Sequence, residues 1–194
     1  MRRFGENARY QRGVTMIEVL MTIFISSFGL LAIAGLQGRM HVAEMEAYQR
    51  AQATVLLTYM TDRINANRKN AMSYVTAAPV GSSNGIQTCA GLTGANLDLC
   101  EWNNLLAGAG ATQAGQSVGA MIGARGCVVN TDPAMPRKFT IAVVWQGLTP
   151  TVAPGSTACG LGAYTDDRAR RAVVAPIVVG CLQNDVNTGL CVTP

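Results

Sequence analysis

The feature that most constrains this chain is an uncharged apolar run near its N-terminus, over residues 19–36. The run is VLMTIFISSFGLLAIAGL, and its polar side chains are Thr22, Ser26 and Ser27. A helix needs about 20 predominantly apolar residues to cross the hydrocarbon core of a membrane, so this run lies at the lower limit. Extending it in both directions reaches that length and includes one carboxylate, Glu18. The sequence therefore predicts one membrane-spanning helix over about residues 17–37.

The segment before this run is basic, with Arg2, Arg3, Arg9 and Arg12 against Glu6. An excess of arginine beside a spanning helix marks its cytoplasmic side, so the part after the helix should be exported to the periplasm. A secretory signal peptide would end at a cleavage site directly after its apolar stretch. Here the stretch continues into polar residues and a further helical pattern, so we expect the helix to stay attached.

The formal net charge of +4 says little about binding partners. The four arginines and one glutamate of the leader give +3 of it, which leaves +1 for the rest of the chain. A basic surface for nucleic acid is therefore not expected.

The stretch QRGVTMIEVL, over residues 11–20, resembles the class III signal of type IV prepilins. That signal has a short basic leader, a glycine, an apolar residue, three more residues and a glutamate. Gly13, Val14 and Glu18 occupy these positions, although Phe or Met is more common than valine after the glycine. The resemblance implies a leader over 1–13, which a prepilin peptidase removes by cutting between Gly13 and Val14. It also implies N-methylation of the new amine of Val14.

The same resemblance implies that Glu18 pairs with the N-terminal amine of a neighbouring pilin during assembly. A carboxylate within a spanning helix usually faces a partner, because its burial costs a few kcal/mol. The alternative is that Glu18 lies at the membrane surface and reaches the lipid headgroups.

The helix should continue well beyond the membrane, because no proline occurs between Gln37 and Lys69 and the composition favours helix. We predict one helix over 14–70, whose second half carries an apolar stripe that packs on the C-terminal domain. The residues assigned to this stripe are Tyr48, Ala51, Val55 and Tyr59. A signal anchor followed by a coiled-coil stalk is the alternative, and the heptad pattern is not sustained enough to favour it.

The C-terminal domain, over 71–194, begins with a loop at 78–96 that is rich in Gly, Ser, Thr and Asn. Residues 97–107 predict a short helix that starts near Asp98 and has Trp102, Leu105 and Leu106 on one face. The Gly/Ala/Gln-rich stretch 108–120 is predicted to be flexible.

Three strands should follow. They cover 122–130, 138–146 and 171–179, and the second half of the first is the more convincing because Gly123 and Gly126 interrupt it. Pro176 predicts an edge or late position for the third strand, and 147–170 predicts a long loop. The expected fold is therefore α+β and pilin-like: a long N-terminal helix, membrane-spanning in its first half, packed on a small antiparallel sheet with disulfides.

Several segments resemble, in order, the PilV-like minor pilins, a family of type IV pilus modification proteins. The segments are SSFGLLAIAGLQ (26–37), AYQRAQATVLLTYMTDRINANR (47–68), LDLCEWNNLLAG (97–108), RGCVV (125–129) and FTIAVVWQG (139–147). The resemblance implies a minor pilin that helps to prime pilus assembly and lies near the filament tip. Its implied partners are other minor and major pilins, prepilin peptidase and the inner-membrane assembly platform. A minor pseudopilin of type II secretion and a membrane-anchored periplasmic binding module or adhesin remain alternatives.

The chain has six cysteines, all in its C-terminal two-thirds. An even number beyond an export segment predicts disulfides in an oxidising compartment, and the absence of a CxxC pair gives no support to a zinc or redox motif. The spacing alone does not fix the pairing. We favour Cys89 with Cys100, which would join the loop to the short helix, and Cys181 with Cys191, because pilins commonly close a C-terminal loop. Cys127 with Cys159 then remains, and a meander would bring these two together.

Catalytic chemistry is not indicated. The only histidine, His41, follows the apolar run and is expected at the membrane surface rather than in an active site. No hydrolase, zinc-protease or nucleotide-binding motif occurs, so we expect no enzyme, cofactor or metal. The mixed charges of 166–171 are most simply a solvated loop, with a subunit contact or surface-binding patch as the alternative. Trp102 and Trp145 are expected in the core.

Overall fold

The computed structural model of the chain describes residues 13–110, 112–113, 116–117, 121–132, 137–181, 183–184 and 191–193. The chain forms two compact units, Met1–Ala43 and Glu44–Pro194, and we call the second the head. Helix α1, Met16–Ala66, runs from the first unit into the second. The predicted long helix is thus confirmed, and it ends four residues earlier than expected.

The head part of α1 buries one stripe of side chains spaced three and four residues apart. The stripe consists of Gln49, Ala53, Leu57, Met60 and Ile64. The predicted stripe was wrong, since Tyr48, Ala51 and Val55 are exposed and Tyr59 is half-buried. At about 100° per residue, the two stripes lie on faces roughly 150° apart. The buried stripe combines alanine and large aliphatic side chains with Gln49, which accepts a hydrogen bond from the indole of Trp145.

Two shorter helical elements follow α1. A 3-10 helix, Arg68–Tyr74, contains a kink at Asn70 and buries Ala71 and Tyr74. Helix α2, Gly94–Leu106, confirms the predicted short helix and begins three residues earlier than expected. Its buried face includes Trp102 and Leu106.

A four-stranded antiparallel sheet completes the head. Its strands are β1 (Val80–Gly81), β4 (Ile122–Asn130), β5 (Lys138–Gln146) and β6 (Arg170–Val178), and they lie in this order across the sheet. The predicted meander is confirmed, and β6 is an edge strand as Pro176 indicated. Strand β4 covers the whole predicted range, and its register with β5 shifts between Ile122 and Arg125.

Two further strand pairs are antiparallel and short. They are β2 (Thr112–Gln113) with β3 (Gln116–Ser117), and β7 (Gln183–Asn184) with β8 (Cys191–Thr193). The first pair lies in the stretch predicted to be flexible, where the sequence predicted no strands. The other residues of 111–120 lie outside the described part of the chain.

The core lies between the α1 stripe, α2 and the sheet. Trp102 is fully buried and Trp145 is 3% exposed, which confirms both as core residues. The indole of Trp102 lies directly on the backbone of β4, where a Cβ at Gly126 would be 2.6 Å from its Cζ3 atom. A second, smaller cluster, which we call the outer cluster, contains Cys127, Ala142, Val144 and Cys159. Residues alternate between the two clusters along β5, as expected for a sheet covered on both faces.

Candidate functional site

The first candidate site is the start of α1. Gly13 is exposed and lies in non-helical backbone, and the helix begins three residues later at Met16. No atom of the described residues lies within 4 Å of the position that a Cβ of Gly13 would occupy. The peptide bond between Gly13 and Val14 therefore lies in accessible, non-helical chain just before a helix.

Glu18 lies in the first turn of α1, where its backbone N–H donates to the carbonyl of Thr15 at 3.0 Å. A carboxylate in the first turn is favoured by the positive end of the helix dipole. The residues Gly13, Val14 and Glu18, which the sequence predicted as one site, thus lie together at the start of the helix.

The following part of α1 presents apolar side chains to its surroundings on every face. Residues 14–45 are all exposed, and large apolar side chains such as Ile25, Leu31 and Leu36 are each at least 60% exposed. Thr22 and Ser27 donate their hydroxyl groups to carbonyls one turn back, both at 2.8 Å. Among the described residues, α1 is the one helix long and apolar enough to cross a membrane.

Further along, α1 is fastened to the sheet side of the head by polar contacts. The Nε1 of Trp145 donates to Oε1 of Gln49 at 3.1 Å, and both side chains are buried. Nη2 of Arg171 donates to Oε1 of Glu46 at 3.1 Å. The N-terminal end of the head part of α1 is therefore held to β5 and β6.

The C-terminal part of α1 is fastened to α2 by an ionic cluster. Arg63 reaches Asp98 at 3.2 Å and Glu101 at 3.1 Å, and the hydroxyl of Tyr59 donates to Glu101 at 2.8 Å. The hydroxyl of Tyr74 donates to the buried Asp98. Burial first, and then this bond to Asp98, raises the pKa of Tyr74 to about 12. The cluster fixes the position of α2 rather than providing a reactive group.

Arg170 corrects the interpretation of 166–171 as a solvated loop, because it is only 2% exposed. Its guanidinium pairs with Asp167 at 2.7 Å. It also donates to the carbonyls of Thr157 at 2.9 Å, Cys159 at 3.1 Å and Pro154 at 3.1 Å. A single buried arginine therefore holds the long loop onto β6. Arg168, by contrast, is exposed and pairs with its neighbour Asp166, as a solvated loop would.

The structure contains the disulfides Cys89–Cys100 and Cys127–Cys159, which are two of the three pairs favoured from the sequence. The first joins the 75–93 loop to α2, and the second joins β4 to the long loop. Cys181 is disulfide-bonded as well. The side chain of Cys191, its predicted partner, lies outside the described part of the chain.

In the described ranges, no group of three His, Cys, Asp or Glu side chains is placed to hold a metal ion. His41 is exposed on α1.

The comparisons with known proteins bear on the N-terminus. The family model of the prokaryotic N-terminal methylation motif matches residues 8–34. The match supports a type IV pilin-like protein. No curated protein and no solved structure shows a significant match to the chain.

The motif and the fold together support a type IV pilin or pseudopilin, and they indicate a structural protein rather than an enzyme. They also fit membrane anchoring through α1 with a folded C-terminal domain. Sequence reasoning missed Gln49 and Arg170, which hold the helix and the long loop. A polar residue inside an otherwise apolar periodic stripe was the available signal for Gln49.

Proposed function

We propose that the chain is a PilV-like minor pilin of a type IV pilus. In this proposal, prepilin peptidase removes residues 1–13, Val14 becomes the N-methylated first residue, and residues 17–37 anchor the protein in the inner membrane. The helix over 14–70 and the domain over 71–194 then form a subunit that helps to prime pilus assembly and lies near the filament tip. Its partners are other minor and major pilins and the assembly platform.

One observation carries this proposal: a single helix is exposed and apolar in its first half and supplies the core of a folded domain in its second. An all-round apolar helix that no other described residue of the chain covers requires a membrane or other helices around it. A subunit that moves from a bilayer into a filament meets both environments in turn. The motif match over 8–34 supports the same conclusion for the processing step.

The assembly step depends on Glu18, the one ionisable residue between Met16 and Gly38. Peptidase cleavage would create a free amine at Val14, one helical turn before Glu18. An amine of a neighbouring subunit can therefore neutralise the carboxylate when the two helices are staggered by about one turn. This pairing would set the axial register between adjacent subunits.

Processing is tested by expressing the full chain with a prepilin peptidase and measuring intact mass. We expect a product that begins at Val14, with the additional mass of one methyl group. Gly13→Ala should remain a precursor, whereas the matched leader variant Gly5→Ala should be processed normally. A mature-sized Gly13→Ala product would show that the cleavage site lies elsewhere.

Assembly is tested in cells that make the pilus. Glu18→Ala and Glu18→Gln should be processed but should reduce piliation strongly. Thr22→Ala is the control, because Thr22 lies one turn further on the same helical face and its hydroxyl is already bonded to Val19. Normal piliation with Glu18→Ala would contradict the proposed role of the charge.

The same observations also support a minor pseudopilin of type II secretion. Deletion of the gene separates the two, since loss of twitching motility supports the pilus and loss of protein secretion supports the secretion system. A membrane-anchored binding module would differ from both because its leader would stay attached.

A further inference from the structure

The two edges of the head sheet differ in how they are covered. At the β1 edge, the N–H of Gly81 donates to Oδ1 of Asn103 in α2 at 2.7 Å. A Cβ on Gly81 would lie 3.0 Å from the Cβ of Leu106, so α2 closely covers this edge. The opposite edge is β6, and no strand in the described part of the chain pairs with its outer side.

The pairing of β6 with β5 determines which backbone groups face this open side. The N–H of Val179 donates to Arg137 at 2.9 Å, and the N–H of Gly147 donates to Ala169 at 2.7 Å. The register between these two pairs is unbroken. Because antiparallel residues alternate between bonding inward and facing outward, the odd-numbered residues of β6 bond to β5. The even-numbered residues direct their N–H and C=O groups outward.

This alternation explains why Pro176 is tolerated within a regular strand. Its position is even-numbered, so its missing N–H removes no bond to β5. The outward N–H groups are those of Ala172, Val174 and Val178, while the N–H of Arg170 is already bonded to Asp167. An edge of seven uncharged residues, 172–178, therefore presents donors and acceptors over about 20 Å.

The side chains of this edge are also incompletely covered on both sheet faces. Val173, Ala175 and Ile177 are half-buried against the main core, and Ala172 and Val174 are half-buried against the outer cluster. Natural sheets usually protect such an edge with charges, a short length or a covering segment. Here an added strand would satisfy the backbone and extend both clusters at once, which neither lipid nor a helix could do.

We propose that the open edge of β6 binds an extended strand from a different pilin-like subunit. This inference rests on the proposed function, in which the chain assembles with other pilins. The β1 edge of a second copy is a poor donor, because the outward N–H of its Gly81 is already bonded to Asn103. Antiparallel pairing of β6 with β6 of a second copy would require a two-fold axis normal to the sheet. That axis reverses the head helix, whereas subunits anchored in one membrane run in the same direction.

A proline scan along β6 tests the alternation on which the proposal rests. Val174→Pro removes an outward N–H and should leave the full chain folded, with a melting temperature close to that of Val174→Ala. Val174→Ala is the matched control because it loses similar side-chain bulk and keeps the N–H. Ala175→Pro removes an inward N–H and should unfold the head. Equal stability of Val174→Pro and Ala175→Pro would overturn the assignment of the open edge.

Binding is tested by photo-crosslinking in cells that make the pilus. A benzoylphenylalanine at position 178 replaces a valine that is 63% exposed, and the same probe at Val152, which is 87% exposed, is the control. We expect position 178 to crosslink to another pilin-like protein, with the adduct mapped by mass spectrometry to an extended segment. Val174→Pro should reduce this adduct about fivefold or more, the effect of one backbone hydrogen bond, whereas Val174→Ala should retain it.

Three results would overturn the proposal: no adduct at 178, an adduct with a second copy of this chain, or an adduct that Val174→Pro leaves unchanged. Measuring the mass of the protein in the same cells distinguishes failure of the edge interaction from failure of the proposed function. A chain that begins at Val14 and gives no adduct contradicts the edge interaction alone. A chain that keeps its leader contradicts the proposed function.

Discussion

Replacing Gly126 by alanine tests how closely the indole of Trp102 lies against the sheet. The new methyl group would be 2.6 Å from Cζ3 and 2.7 Å from Cζ2 of the ring, far inside van der Waals contact. The ring cannot easily move away, because it is fully buried and its Nε1 donates to the carbonyl of Leu56 at 2.9 Å. Gly126 has no positive φ, so the effect would come from the contact and not from backbone strain.

Overpacking a core typically costs about 1–3 kcal/mol, and the rigid ring places Gly126→Ala near the upper end, at about 3 kcal/mol. For a unit of this size, each kcal/mol lowers the melting temperature by about 2–4 °C, so we expect a decrease of about 10 °C. The assay is thermal unfolding of the full chain in detergent, followed by near-ultraviolet circular dichroism. Gly155→Ala is the control, since nothing lies within 4 Å of its Cβ position.

A double-mutant cycle identifies the cause. Trp102→Phe makes space above β4, so Gly126→Ala should cost about 1 kcal/mol or less in that background. A melting temperature for Gly126→Ala within about 2 °C of the parent protein would refute the argument, because it would show that the core yields to the methyl group. An equally large loss in the Trp102→Phe background would show that the indole is not the obstacle.

Two further predictions concern pH and the disulfides. Burial raises the pKa of Tyr74 to about 12 from 10.0, so the fold favours the protonated hydroxyl. The resulting contribution to the free energy of unfolding is complete below pH 10 and is lost as the pH rises toward 12. Tyr74→Phe should flatten this part of the stability profile in urea unfolding, and an unchanged profile would contradict the assignment. Replacing the Cys127–Cys159 pair by serines should cost about 3.7 kcal/mol, against about 2.8 kcal/mol for Cys89–Cys100, because the paired cysteines are 32 and 11 positions apart in the chain. A larger loss for the shorter loop, in urea unfolding without reductant, would show that native-state contacts outweigh chain entropy.

The elements with strong local signals were predictable from the sequence. The bounds of β5 agree with the prediction because KFTIAVVWQ combines β-branched and aromatic residues with clear breaks on either side. The edge position of β6 followed from Pro176, since an inner strand would have to bond on both sides. The first half of α1 was predictable because an uncharged apolar run of about this length is typical of a membrane-spanning helix.

The face of α1 that packs on the head was not predictable by the same reasoning. Apolar residues occur on both faces of this helix, and the buried face is chosen by shape and by the Gln49 amide that accepts from Trp145. Strand β1 was also missed, because two residues carry no periodic pattern and its position depends on Asn103. Both features depend on partners distant in sequence, which local propensity does not record.

Arg170 was misjudged for a related reason. A charge cluster in a loop is usually solvated, and only the fold shows that this guanidinium lies beneath the loop it supports. The neighbouring pair of Arg168 and Asp166 also joins an arginine to an aspartate, but it is exposed, as in a solvated loop.

The way Arg170 holds the loop has a consequence for how this surface can change during evolution. The three carbonyls it binds, those of Pro154, Thr157 and Cys159, belong to the main chain, and nearly every residue type supplies the same acceptor. The loop can therefore exchange most of its side chains without losing its attachment, provided that Arg170 and the disulfide at Cys159 remain. A pilin-like subunit could in this way present a variable surface on an unchanged framework.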